Sequence, residues 1–416
     1  VAWLSGYTGE GDLVITEDHA GLWTDTRYFI QASRQLPASG AELHKTRVSD
    51  QVLIPEWLAD YFADYDEVCV AVDGLCMTAS SVKEIQEAVG EKVRFVNVPD
   101  MLDVVWTDRP EIPQTPIITL GPDQVGWSRE QKIRWMRKWL ADRGYDAILL
   151  TALDEIAWML NVRGHDVAYN PVVMSYLLVT QDNVLWFVRK GPTPDEDGET
   201  EDSFHELIAD GVNIQEYSDV ETALSNLVDG SYIKTLFVDP MTLNYNLYSI
   251  LKDNSPQSIV FGTSPVGLRK SVKNDVEIAG MREAHLEDGI AMERFLHWLQ
   301  TSVEAGDAIN EYEASRKLHE FRSEIEGFRG ESFETISAYG PNAALPHYVT
   351  PEEGSAEIYA EGLYLCDSGG QYLFGTTDIT RTIPLGPCTQ LEKEDYTLVL
   401  KGHIALSKAV FPKGTA

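Results

Sequence analysis

Asp367 and Asp378 stand eleven residues apart, with Gly369 and Gly370 between them. The stretch "LYLCD" (363–367) reads as a strand that ends on Asp367, and "LFGTTDITRTIPL" (373–385) as a second strand that carries Asp378. A hairpin turning at "SGGQY" sets such strands about 5 Å apart. A longer turn or a bulge then brings both carboxylates to one point. Two anions that meet in a partly buried site repel, and stay ionised only with a cation between them. A divalent metal ion meets that demand, and carboxylate oxygens suit Mg²⁺, Mn²⁺, Co²⁺ or Zn²⁺. The same spacing also suits ordinary turn aspartates paired with Arg381 or with backbone amides.

The elements around the pair must come from a long, acidic chain. Its 416 residues are too many for one ordinary core, so two or three domains are expected. An apolar content of 44% with 24% charged residues describes a globular protein. The formal charge of -33 argues against nucleic acid as a partner, because phosphate binding needs a basic footprint. Such acidity serves solubility; the functional reading beside it is attraction of cationic ligands, such as metal ions or peptide amino termini. The four cysteines, Cys69, Cys76, Cys366 and Cys388, make no disulfide framework, so a reduced, cytoplasmic compartment is the expectation. No apolar run approaches the roughly 18–20 residues needed to span a bilayer.

A repeat organises the first half. "VAWLSGYTG" from Val1 aligns with "IAWMLNVRG" from Ile156, matching Trp3 to Trp158 and Gly9 to Gly164. Downstream, residues 13–25 and 177–188 both read as strand, polar turn, strand. The second copy has a prelude. Ser128 and Gln131 make a capping box; Ile133, Met136 and Leu140 an apolar stripe; Gly144 a stop; and "AILLT" a buried strand. If the copies are alike, a few tens of residues precede Val1. Residues 106–122 carry four prolines and a glycine and read as an extended connector. "KGPTPDEDGETEDSF" reads as a solvated acidic loop. In a third region Met281, Ala284, Asp288, Met292, Phe295 and Leu299 follow helical spacing, with Asp288 the one polar intruder. A second helix to about Phe328 and strands from about Thr335 then make an α+β domain.

"DSGGQYLFGTTDITRT" closely resembles the metal-binding hairpin of the Xaa-Pro aminopeptidases, members of the pita-bread metallopeptidases. "GPNAALPHY" is similar to the family segment whose histidine lies beside the metals, here His347. "LWTDTRYFIQA", "WTDRPEIP", "TALDEIAWMLNVRG", "NPVVMSYLLV", "SVKNDVEIAGMREAH" and "AVFPKGT" resemble further landmarks, in the right order. The resemblance implies the long three-domain form, of α/β and α+β class. Residues 1–118 would be a first creatinase-type N-terminal domain lacking its start, and 119–264 a second. Residues 265–416 would be a pita-bread catalytic domain lacking its C-terminal part. It further implies that Asp367 binds one metal with both oxygens and Asp378 bridges two, with manganese the expected ion. A hydroxide shared by the metals would attack the carbonyl before proline. His347 would hydrogen-bond substrate or intermediate. The implied substrates are peptides with Xaa-Pro amino termini, and a homodimer is expected.

The pattern breaks after the hairpin. The family site takes one histidine and two glutamates from sequence that follows it. Residues 379–416 hold one histidine, His403, which reads as a surface or packing residue of a helix. Glu392 and Glu394 read as part of a polar turn. The 416 residues alone are therefore expected to be inactive and to bind metal weakly, submicromolar manganese in equilibrium dialysis being the contrary result. Two alternatives stay open at this point: a non-catalytic protein of the same fold, and another pita-bread hydrolase of prolidase or creatinase type. Arg381 is expected to pair a carboxylate. In the loop 162–171, Arg163, His165, Asp166 and Tyr169 read either as a structural loop or as an approach to the catalytic mouth. Trp23 and Asp25 read as core and turn residues.

Overall fold

The computed structural model describes residues 1–190, 199–229, 233–254 and 259–415. They divide into two compact units, Val1–Gly280 and Met281–Ala416. Of the acidic loop read from the sequence, 191–198 lie outside the described residues.

The first unit is built on a six-stranded sheet in the order Asn213–Glu216, Val184–Val188, Ser175–Thr180, Ala147–Leu150, Leu236–Val238, Ile259–Phe261. Ser175–Thr180 runs antiparallel to both neighbours and the other pairings are parallel. "AILL" is buried throughout, as a strand covered on both faces must be. Its residues alternate between two cores. Ile148 and Leu150 join Met136, Leu140 and Trp186, while Ala147 and Leu149 join Leu224, Leu243 and Leu247. The helix Arg129–Arg143 has the ends its sequence calls for. Ser128 and Gln131 cap each other reciprocally, and Gly144 closes it at φ 69°.

The duplication is visible in the strands. Asp12–Ile15 and Ala20–Thr24 form an antiparallel hairpin followed by the parallel strand Glu42–Lys45. The later hairpin of Ser175–Thr180 and Val184–Val188 is likewise followed by a parallel strand, Asn213–Glu216. The shared Ala-Trp falls in a helix in each copy, Ala2–Ser5 and Leu153–Leu160. Asp25 is a turn residue whose carboxylate accepts from Arg27, and that bond holds its pKa down at about 2. In the loop 162–171, Asp166 accepts from Thr115 and from the Met174 amide, which gives it a structural role.

Lys132 carries a charge into this unit. Its side chain is buried, its ammonium donates to the Trp158 carbonyl at 2.8 Å and to Asn161 Oδ1 at 2.6 Å, and it lies over the Trp158 ring. Burial takes its pKa down to about 7. Between that value and the ordinary one near 10.4 the unfolded chain binds more protons than the folded one, so stability rises with pH from about 7 upward. Urea unfolding at pH 6.5 and pH 9 should show this rise, on the order of 2 kcal/mol. Lys132→Met should flatten it.

The second unit takes residues 281–305 of the helix Asp275–Ala305, the Asn310-capped helix Glu311–Ser323, and two main three-stranded sheets. Met292, Phe295 and Leu299 pack with Leu318, Tyr364 and Cys366. One sheet orders Ile336–Tyr339, Leu363–Ser368, Ile379–Pro384; the other orders Phe328–Glu331, Gly370–Tyr372, Gly375–Thr376.

The chain does not make the simple hairpin expected at "SGGQY". Leu363–Ser368 does pair with Ile379–Pro384, ending at Ser368 opposite Ile379. The chain between them leaves the sheet, and Gly370–Tyr372 and Gly375–Thr376 make their own hairpin against Phe328–Glu331. Glycine permits the crossing. A Cβ on Gly369 would stand 2.0 Å from the Thr377 carbonyl oxygen and 2.2 Å from Ser332 Oγ. Glu392 does not lie in the expected polar turn either. It lies in the first turn of the helix Gln390–Ser407, where it and Thr389 form a capping box.

Candidate active site

Asp367 sits in the middle strand of its sheet, opposite Ile336 on one side and Thr380 on the other. Residues opposite each other share a face. Thr380 Oγ1 donates to Asp367 Oδ1 at 2.7 Å and fixes the carboxylate. Asp378 precedes Thr380 by two residues, which returns it to that face. Asp367, Asp378 and His347 line one cavity of about 360 Å³, with Phe333, Glu334, Ile336, Tyr348 and Val349 as its other walls. Three carboxylates and a single histidine make this pocket strongly electronegative. Burial lifts the Asp367 pKa and the Asp378 charge adds to it, while Thr380 and His347 oppose the shift. An added cation would relieve both causes.

His347 reaches the pocket on a loop that Glu311 holds. Glu311 opens its helix and is fully buried. Its Oε1 accepts from the Tyr339 amide at 2.6 Å, and its Oε2 from the Tyr348 hydroxyl at 2.8 Å. Asn342 Nδ2 donates to both oxygens. One carboxylate therefore ties both ends of the segment 339–348. Burial and this carboxylate push the Tyr348 phenol up.

The strand carrying Asp367 is anchored from behind by Asp288 and Arg322. Arg322 Nε donates to Asp288 Oδ1 at 2.7 Å and Nη2 to Oδ2 at 3.1 Å, and both side chains are buried. Arg322 Nη2 also donates to Ser368 Oγ and Nη1 to the Gly369 carbonyl, while Tyr372 donates its hydroxyl to Asp288 Oδ1. The intruder in the apolar stripe thus holds Arg322, which in turn grips the chain next to Asp367. Glu311 and Arg322 were missed by the sequence reading. Arg322 had a signal, since it extends the buried spacing of Ala314 and Leu318. Glu311 had none that separates it from any acid in a first helical turn.

Other residues fall outside the site. Arg381 donates to the Thr380 carbonyl rather than to a carboxylate. His403 is exposed on the helix Gln390–Ser407. Asp367 and Asp378 form no compact three-ligand cage. Among the described residues, the group of three potential ligands within 4.8 Å is His19, Glu42 and His44 in the first unit.

Comparison with known proteins covers most of the chain. Residues 1–105 and 108–277 each match a family described as Creatinase/Prolidase N-terminal domain, and 279–416 match Metallopeptidase family M24. Aminopeptidase P1 of Arabidopsis thaliana is 35% identical over 459 residues, covering 99% of this chain and 69% of that protein. A probable Xaa-Pro aminopeptidase P of Sordaria macrospora is 37% identical over 426 residues, covering 100% and 68%. The X-prolyl aminopeptidase of Caenorhabditis elegans, described as a cytosolic enzyme with a di-nuclear active site, superposes with a TM-score of 0.91 at 33% identity, over 100% of this chain and 67% of that one. The chain thus spans about two thirds of each relative.

Proposed function

The chain belongs to metallopeptidase family M24, among its Xaa-Pro aminopeptidases, and from that premise we infer that the pocket of Asp367, Asp378 and His347 serves to release the N-terminal residue of peptides with proline in second place. The observation that carries this reading is the meeting of His347 with the two aspartates of a later segment in one acidic cavity.

Asp367 and Asp378 are the residues that would hold divalent ions, two of them and manganese in this reading, because hard carboxylate oxygens suit such ions. When bound, such ions supply Lewis acidity and a water of lowered pKa. The chain's own part is positional. Thr380 keeps the Asp367 carboxylate aimed into the pocket. His347 would donate to the substrate oxygen on which negative charge develops. Phe333, Ile336 and Val349 offer the apolar surface a pyrrolidine ring requires. The Xaa-Pro bond is a tertiary amide without N–H, so selection by shape suits it.

Residues 1–416 contribute two carboxylates to this centre, and a polypeptide of these residues alone should bind manganese weakly and hydrolyse nothing. Among the described residues no helix is long and apolar enough to cross a membrane. A cytoplasmic location, by likeness to the C. elegans enzyme, and a homodimeric state complete the proposal. The test is protein expressed from the complete gene, supplied with manganese and offered Arg-Pro-Pro and Arg-Ala-Ala. Release of arginine from the first and not the second is expected. Equal cleavage of both, or of neither, would overturn the reading.

A further inference from the structure

The turn before Ala20–Thr24 and the strand Glu42–Lys45 bring His19, Glu42 and His44 together, within the first unit. One nitrogen of each imidazole and one carboxylate oxygen lie within 4.8 Å of one another. The two Nε2 atoms are 3.2 Å apart, and His19 Nδ1 is 3.9 Å from Glu42 Oε2. Two nitrogens bound to one ion at about 2.1 Å and a tetrahedral angle stand about 3.4 Å apart. The imidazoles are therefore already at the separation a shared ion requires.

Their rings are held in place. His44 stacks on Trp23 at 3.9 Å with 6° between planes, and His19 stacks on Trp57 at 4.8 Å. Trp23 is itself fixed, since its Nε1 donates to the Val52 carbonyl at 2.9 Å. Gly21, paired with Glu42 across the sheet, makes the room. A Cβ there would stand 2.6 Å from His19 Nε2 and 2.8 Å from His44 Cδ2. The Glu42 side chain is 68% exposed, free to swing toward the rings while solvent reaches the open side.

We propose that His19, His44 and Glu42 form a second metal site, for a divalent transition ion such as zinc, with water completing the coordination. The donor set separates it from the aspartate pair. Two imidazoles and one carboxylate favour zinc, copper or nickel, whereas an all-carboxylate pair favours manganese or magnesium. The ion would tie the turn at His19 to the strand Glu42–Lys45 and so staple the first sheet.

The test is calorimetric titration of zinc into protein carrying Asp367→Asn and Asp378→Asn, which removes the aspartate pair of the other pocket. One equivalent should bind in the micromolar range and raise the melting temperature. His19→Gln and His44→Phe, the latter keeping a ring on Trp23, should each abolish that binding. Glu42→Gln, at an exposed position that leaves the sheet intact, should weaken it about tenfold. Copper(II) should quench tryptophan fluorescence at the same stoichiometry, and not in His44→Phe. Absence of zinc uptake, or uptake that survives His19→Gln and Glu42→Gln unchanged, would overturn the proposal. The two rings would then share only a hydrogen bond.

Discussion

Arg322→Met is expected to unfold residues 281–416 or bring them to the edge of unfolding. The substitution removes the guanidinium and leaves the Asp288 carboxylate buried, with the Tyr372 hydroxyl as its remaining bond. Breaking one side of such a pair costs about 3–5 kcal/mol. A whole domain commonly has only about 5–15 kcal/mol of stability. The effect should be read by urea unfolding, with a tryptophan of this unit, Trp298, as the probe. Replacing both partners, Asp288→Leu with Arg322→Met, should recover much of the loss, because no charge is then stranded. It should not restore the site. Ser368 and Gly369 would still lack the donors that hold the chain beside Asp367. A single substitution costing under about 1 kcal/mol would show that the pair is not the anchor.

His347→Ala, in protein from the complete gene, is expected to lower kcat about 10²–10³-fold while manganese content stays the same. The direction follows from its place. His347 lines the same cavity as the carboxylates, on a loop held by Glu311. A donor that acts on developing charge affects kcat more than KM. Loss of metal together with activity would instead make it a ligand. An unchanged kcat would remove it from the reaction.

How much of this was legible in the sequence differs residue by residue. Asp288 stood out because a carboxylate in an apolar helical stripe must find a partner. Arg322 stands in the same relation to its own stripe, and the same rule would have found it. Thr389 and Glu392 spell a capping box, which the polar composition around them hid. The detour between Ser368 and Ile379 was not legible. Its glycines suit a tight turn as well as a crossing, and the difference lies in the Thr377 carbonyl and Ser332 that crowd Gly369. The approach of His19 to His44 was hidden for a related reason. It depends on Glu42–Lys45 pairing parallel to Ala20–Thr24, which no local pattern specifies. The spacing of the aspartate pair left ordinary turn aspartates open, and the resemblance of the surrounding segment singled the pair out; its shared face comes from the register of Asp367 against Thr380.

The proposed centre requires cations held jointly by Asp367 and Asp378. Anomalous diffraction from crystals of the protein expressed from the complete gene, soaked in manganese, reads that directly. The predicted result is a manganese signal in the pocket, bonded to carboxylate oxygens of both aspartates, with His347 near it and unbonded. A pocket without signal at saturating manganese, or an ion held by one aspartate while the other points away, would contradict it.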